Sequence, residues 1–291
     1  MKWQGRAESS NVEDRRGAGG GGMRMGLPLG GGIGGLVLLL VFSALTGQNP
    51  LDLIGAGDGS GAPSDSGFSG PGSEPAAAPA TDEQTRFMRV VLRDTEDTWT
   101  AIFRERGDTY EPPTLVLFAG STDTACGLGQ SAMGPFYCPA DRKVYLDTSF
   151  FDELAQRFGA PGDFAQAYVV AHEVGHHVQT LLGLSNRVAA ARQQASEAEA
   201  NALSVRQELQ ADCYAGVWGH YAAQHNLLDT GDAEEGLQAA ASIGDDRLQR
   251  QTQSRVVPES FTHGSSEQRV SWLRRGLASG QIETCDTFAG R

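Results

Sequence analysis

The chain has 291 residues and 38 glycines, and 20 of those glycines fall in the first 80 positions. A stretch so rich in Gly, Ala, Ser and Pro cannot bury a packed core, whereas the other 211 residues suffice for one good-sized domain or at most two small ones. The net charge is −13, and residues 81–291 hold 18 basic and 29 acidic residues, which argues against nucleic acid as a partner.

In chain order, residues 1–26 carry Lys2, Arg6, Arg15, Arg16 and Arg24 and read as an N-terminal tail. Residues 27–46 (LPLGGGIGGLVLLLVFSALT) hold no charge over twenty positions, enough for a transmembrane helix across a bilayer of roughly 30 Å. Ser43-Ala44-Leu45 makes only a weak cleavage site, which favours an uncleaved anchor over a signal peptide and a secreted enzyme. The segment that follows carries Asp52, Asp58, Asp65 and Glu74 and no Lys or Arg before residue 81. The positive-inside bias therefore predicts a single-pass protein in the cell membrane, with a cytoplasmic N-terminus and an extracytoplasmic domain. Residues 47–80 form a Gly/Ser/Pro-rich linker.

The folded domain is expected over 81–291. Thr81 and Gln84 make a capping-box pattern, and Phe87, Val90, Val91, Trp99, Ile102 and Phe103 follow at helical spacing until Gly107. Thr114–Ala119 reads as a strand, and Phe136–Cys138 with Lys143–Leu146 as a hairpin around a Pro-Ala-Asp-Arg turn. From Asp163 the chain is mainly helical.

The chemistry lies in residues 164–182, between Pro161-Gly162-Asp163 and Gly183, which mark a helix start and stop. His172-Glu173-Val174-Gly175-His176 is an H-E-x-x-H motif. Residues four apart share a helix face, so two imidazoles can reach one metal, and Glu173 beside them can take a proton from water on it. The neighbours Val169, Val170, Ala171, Val178, Leu181 and Leu182 are apolar, and buried imidazoles without a ligand there would be costly. Zn²⁺ is the metal that two imidazoles and a carboxylate suit.

A third ligand must come from Glu208, Asp212, His177, His220, His225 or His263. His177 projects about 100° away from His176 and reads as a surface or supporting histidine. His220 and His225 read as structural or exposed. Glu208 and Asp212 share a face of a second helix (QELQADCYAGVW, 207–218) among small and apolar neighbours. Glu208 is the ligand chosen, and Asp212 would accept the free N–H of a ligating histidine.

HEVGHH followed by ELQADCYAGVW resembles zincin metallopeptidases whose third ligand is a glutamate. The whole order, MKWQGRAESSNVEDRRG, one span, CGLGQSAMGPFYCPADRKVYLD, HEVGHHVQ, ELQADCYAGVW and FTHGSSEQR, resembles the bacterial "putative neutral zinc metallopeptidase" family. The resemblance covers nearly all the chain except the linker. It implies a zincin-like α+β fold, mainly helical with a small sheet after one transmembrane helix. It also implies His172, His176 and Glu208 as zinc ligands and Glu173 as general base, acting on a peptide or protein substrate.

Thr262-His263 and Arg269 resemble a segment of membrane-associated zinc peptidases. By that analogy His263 would donate to the oxyanion, the alternative being a loop histidine that caps or packs. Arg269 would hold a nearby carboxylate. Ser265 and Gln268 repeat the capping-box pattern. The strand around Val144–Leu146 is expected, on zincin analogy, to be an edge for an extended peptide.

Cys126, Cys138, Cys213 and Cys285 allow three full disulfide connectivities, and the compartment decides whether any forms. Cys126 and Cys138 bracket an eleven-residue segment; a bridge there would leave Cys213 with Cys285. A zinc-stabilised, non-catalytic envelope adaptor is the competing function, and the intact Glu173 argues against it.

Overall fold

The computed structural model describes residues 1–16, 83–252 and 255–289. The apolar run 27–46 and the linker 47–80 lie outside them. Among the described residues, no helix is long and apolar enough to cross a membrane.

The body is mainly helical with two small sheets. Helix α1 (Glu83–Glu105) follows the predicted spacing, and Phe87, Val90, Val91, Trp99, Ile102 and Phe103 are all buried. It ends where Gly107, at φ 80°, takes a left-handed turn that Gly adopts without strain. Strand β2 (Thr114–Phe118) follows, then β3 (Ser121–Thr124) and β4 (Gly127–Gln130), a separate antiparallel pair. Strands β5 (Phe136–Cys138) and β6 (Lys143–Asp147) form the predicted hairpin.

The main sheet has the order β1-β2-β6-β5, with β1 (Val12–Asp14) parallel to β2, β2 parallel to β6, and β5 antiparallel to β6. Side chains alternate between its faces as the pleat requires. Leu115, Leu117, Val144 and Leu146 enter the main core against the helices, while Val116, Phe118, Cys138 and Tyr145 form a smaller cluster on the other side.

Two expectations change. The strand holding Val144–Leu146 is central, flanked by β2 and β5, so its backbone groups are already paired; the free edge on that side is β5. The tail is also not separate from the domain over residues 1–16. Trp3 is buried edge-on against Phe87, with ring centroids 5.5 Å apart. The backbone N–H of Lys2 donates to the Leu227 carbonyl (2.7 Å) and that of Ser9 to Arg89 (3.0 Å). Ser9 Oγ and Asn11 Nδ2 both donate to the buried Glu96 carboxylate at 2.7 and 2.8 Å. β1 then registers Val12, Glu13 and Asp14 against Leu115, Val116 and Leu117.

The remaining helices are α2 (Ser149–Gln156), α3 (Asp163–Leu181), α4 (Leu184–Arg192), α5 (Glu197–Gln224), α6 (Asp232–Ser242), α7 (Asp245–Thr252) and α8 (Ser266–Ser279). α3 starts at Gly162, which has no side chain to cap it; instead Glu235 of α6 accepts from the Phe164 N–H (3.3 Å). α8 opens with the predicted box, Ser265 and Gln268 each bonding the other's backbone N–H. Both disulfides, Cys126–Cys138 and Cys213–Cys285, are present.

Candidate metal centre

Helix α3 presents His172 and His176 on one face, as the four-residue spacing demands, and α5 lies against that face. Their approach depends on Gly175, where a Cβ would come within 3.0 Å of the Ala211 carbonyl oxygen. Ala211 is one turn from Glu208, so the close crossing delivers the Glu208 carboxylate to both rings. Nε2 of His172 lies 3.1 Å from Glu208 Oε2, and Nε2 of His176 lies 3.5 Å from Oε1. Ligand atoms of His172, His176 and Glu208 all fall within 4.8 Å of one another.

The other nitrogen of each ring is already occupied. His172 Nδ1 is 2.9 Å from Asp212 Oδ1, and His176 Nδ1 is 2.9 Å from Gln179 Oε1. Both partners are acceptors there, so each ring carries its proton on Nδ1. Two neutral imidazoles then turn bare Nε2 lone pairs toward a carboxylate, an arrangement that calls for a positive charge between them. Without a cation the rings take up protons instead. Burial opposes this, but Asp212 and Glu208 push His172 up to about 10, and Glu208 raises His176. Burial would raise the Glu208 carboxyl too, but the two histidines hold it well below its usual range. The donor set fits Zn²⁺: two imidazole nitrogens and a carboxylate, with each histidine anchored from behind.

Glu173, next to His172, is buried and has its pKa raised by that burial. A desolvated carboxyl beside a metal-binding face is suited to accept and return a proton.

Asp212 is fully buried and is the hub of a network. It accepts from Arg269 Nε and Nη2 (2.8 and 2.9 Å) and lies 2.5 Å from the Tyr168 hydroxyl. Burial alone would raise its pKa; Arg269 foremost, then His172, brings it down to about 2. Arg269 thus holds the expected carboxylate.

The other histidines separate. His177 is fully buried rather than at the surface. Its Nδ1 meets Tyr137 Oη (3.1 Å) and its Nε2 the Glu111 carbonyl (2.6 Å), and burial lowers its pKa to about 4. It fastens α3 to β5 and to the segment just before β2. His220 bonds the Leu277 carbonyl, and His225 pairs with Asp94.

His263 lies on the loop before α8, within reach of the Glu208 charge. The adjacent Gly264 packs on Val205 and Leu209 of α5. Asp245, which the sequence reading missed, sets this loop: Oδ2 accepts from the backbone N–H groups of Thr262, His263 and Gly264 (2.7, 2.6 and 3.0 Å), and Oδ1 lies 3.2 Å from His263 Nδ1. That places a proton on Nδ1, so Nε2 donates only when the ring is an imidazolium; burial opposes that form, but Asp245 and Glu208 raise the ring toward it.

Among known proteins, the chain is 54% identical to the uncharacterized protein YpfJ of Escherichia coli K12, over 99% of each chain. It is 43% identical to the uncharacterized protein Rv2575 of Mycobacterium tuberculosis H37Rv, over 71% of this chain and 73% of that one. No solved structure matches it. The model of one family, described as "Putative neutral zinc metallopeptidase", matches residues 1–288, from the packed N-terminal segment through both metal-site helices, and the chain belongs to that family.

Proposed function

We propose that the protein is a zinc-dependent peptidase. The observation that carries this reading is the pair of imidazoles, His172 buried and His176 partly buried, presenting Nε2 to Glu208, with buried Glu173 on the same turn. Zinc held by His172, His176 and Glu208 supplies Lewis acidity, which acidifies water and polarises a carbonyl. Glu173 takes the proton from the attacking water and returns it to the leaving amine. His263, oriented and kept protonated by Asp245, donates from Nε2 of its imidazolium to the oxygen that gains charge as the carbonyl is attacked. The free edge of β5, tied to α3 through Tyr137 and His177, offers backbone groups to an extended peptide.

For its location we propose the extracytoplasmic side of the membrane, where the two disulfides persist. Attachment to the membrane through residues 27–46 is kept in this reading, but without the single crossing, since one crossing in either orientation parts residues 1–16 from the body. The pairing of β1 with β2 supports placing residues 1–16 on the same side as the body.

The test is cleavage of a broad peptide library by the zinc-loaded protein. The Glu173→Gln variant is expected to keep one zinc per chain and lose on the order of 10²–10⁴ in rate, and chelation to abolish cleavage. A wild-type protein that cleaves nothing, with X-ray absorption reporting four protein ligands, would establish the adaptor role instead.

A further inference from the structure

The two histidines differ in what stands behind them. His172 rests on an ionised carboxylate, whereas His176 rests on a neutral amide, and that amide begins a chain. Gln179 Oε1 receives His176 Nδ1–H, and Gln179 Nε2 donates to the Gln207 carbonyl (2.7 Å) and to Gln210 Oε1 (3.1 Å). Gln210 Nε2 in turn donates to the Cys285 carbonyl (3.0 Å). Gln179, Gln210 and Cys285 are all buried.

The direction of this chain is fixed from its far end. A backbone carbonyl only accepts, so the Gln207 and Cys285 oxygens each dictate which end of an amide faces them. Gln210 must turn Nε2 to Cys285 and Oε1 to Gln179; Gln179 must turn Nε2 to Gln207 and Gln210 and Oε1 to His176. His176 is thereby held with its proton on Nδ1 and Nε2 bare.

The Cys285 carbonyl is pinned in turn. Cys285 ends a short 3-10 turn near the C-terminus, and its disulfide partner Cys213 is three residues beyond Gln210, on the same face of α5. The bridge therefore seats the carbonyl over the amide that reads it.

We propose that Gln179 and Gln210 are positioning residues for the metal ligand His176, and that the Cys213–Cys285 disulfide is the anchor of that relay. The role rests on the zinc reading above, since it is exercised on a zinc ligand. It makes zinc affinity depend on the oxidation of a disulfide whose sulfur atoms take no part in the metal site.

The test is zinc affinity, measured by chelator competition on variants whose metal-free forms are shown by circular dichroism to be folded. Gln179→Met, which keeps the volume and removes the amide, is expected to weaken zinc about 10- to 100-fold. Gln210→Met and the paired change Cys213→Ser with Cys285→Ser are each expected to weaken it less, by roughly threefold or more, and to add nothing in the Gln179→Met background. The paired change Cys126→Ser with Cys138→Ser is expected to leave it unaltered. The His176 Nδ1–H resonance is expected to be protected in the wild type and to exchange rapidly in Gln179→Met. Wild-type affinity in Gln179→Met, or equal effects of the cysteine change with and without Gln179, would overturn the proposal. Should Gln179→Met not fold, Gln210→Met carries the same reading on affinity and on the ring proton. A wild type that binds no zinc defeats the zinc reading itself, while the ring-proton signal of the metal-free protein still reports whether the amides order His176.

Discussion

His263 occupies a loop, yet one carboxylate gathers its backbone, its neighbours' backbone and its ring nitrogen. If it serves the oxyanion, His263→Ala should lower kcat by about 10²–10³ at unchanged zinc content. Steady-state kinetics beside metal analysis would check this; a variant with normal kcat would return His263 to a packing role. The residues legible in the sequence were those whose chemistry shows at helical spacing: His172, Glu173 and His176, then Glu208 with Asp212 four positions on. Gln179 also had the spacing, three residues after His176, but glutamine is common on helices and nothing local marks it as an acceptor. Gln210 and Asp245 were illegible for a different reason. Their partners are carbonyls and N–H groups of other segments, which side-chain types do not reveal.

At the scale of elements, the metal site depends on how α5 meets its neighbours. α3 approaches through Gly175, and α8 crosses through Gly216 and Gly276, where added Cβ atoms would lie 2.2 Å from the Leu273 carbonyl oxygen and 2.0 Å from that of Cys213. Here backbone touches backbone. Gly276→Ala should therefore destabilise the fold by about 1–3 kcal/mol or more, read from denaturant unfolding. It should also weaken zinc, because Arg269, two turns earlier on α8, would move away from Asp212. The helices were readable because their apolar positions repeat at helical spacing, and the β5–β6 hairpin because a turn separates two apolar runs. β1 was not, since the charged and polar run from Glu8 to Asp14 resembles a solvated tail and becomes a strand only through β2. The β3–β4 pair, short and glycine-bearing, lacks the apolar alternation that marks a strand.

For the whole molecule, the packing of residues 1–16 makes a prediction about sidedness. Reporters fused after the C-terminus and inserted near residue 20 should be found on the same side of the membrane, both extracytoplasmic; opposite sides would restore the single crossing read from the charge bias. The same feature bears on the order of folding. The partner of Val12 is Leu115, roughly a hundred positions later, and closing so long a loop is slow to be rewarded. During synthesis the first sixteen residues therefore leave the ribosome earliest and dock late. Until β2 and α1 exist, Trp3 has no pocket to fill, and the nascent chain must carry an exposed indole at least until Phe118 has been made.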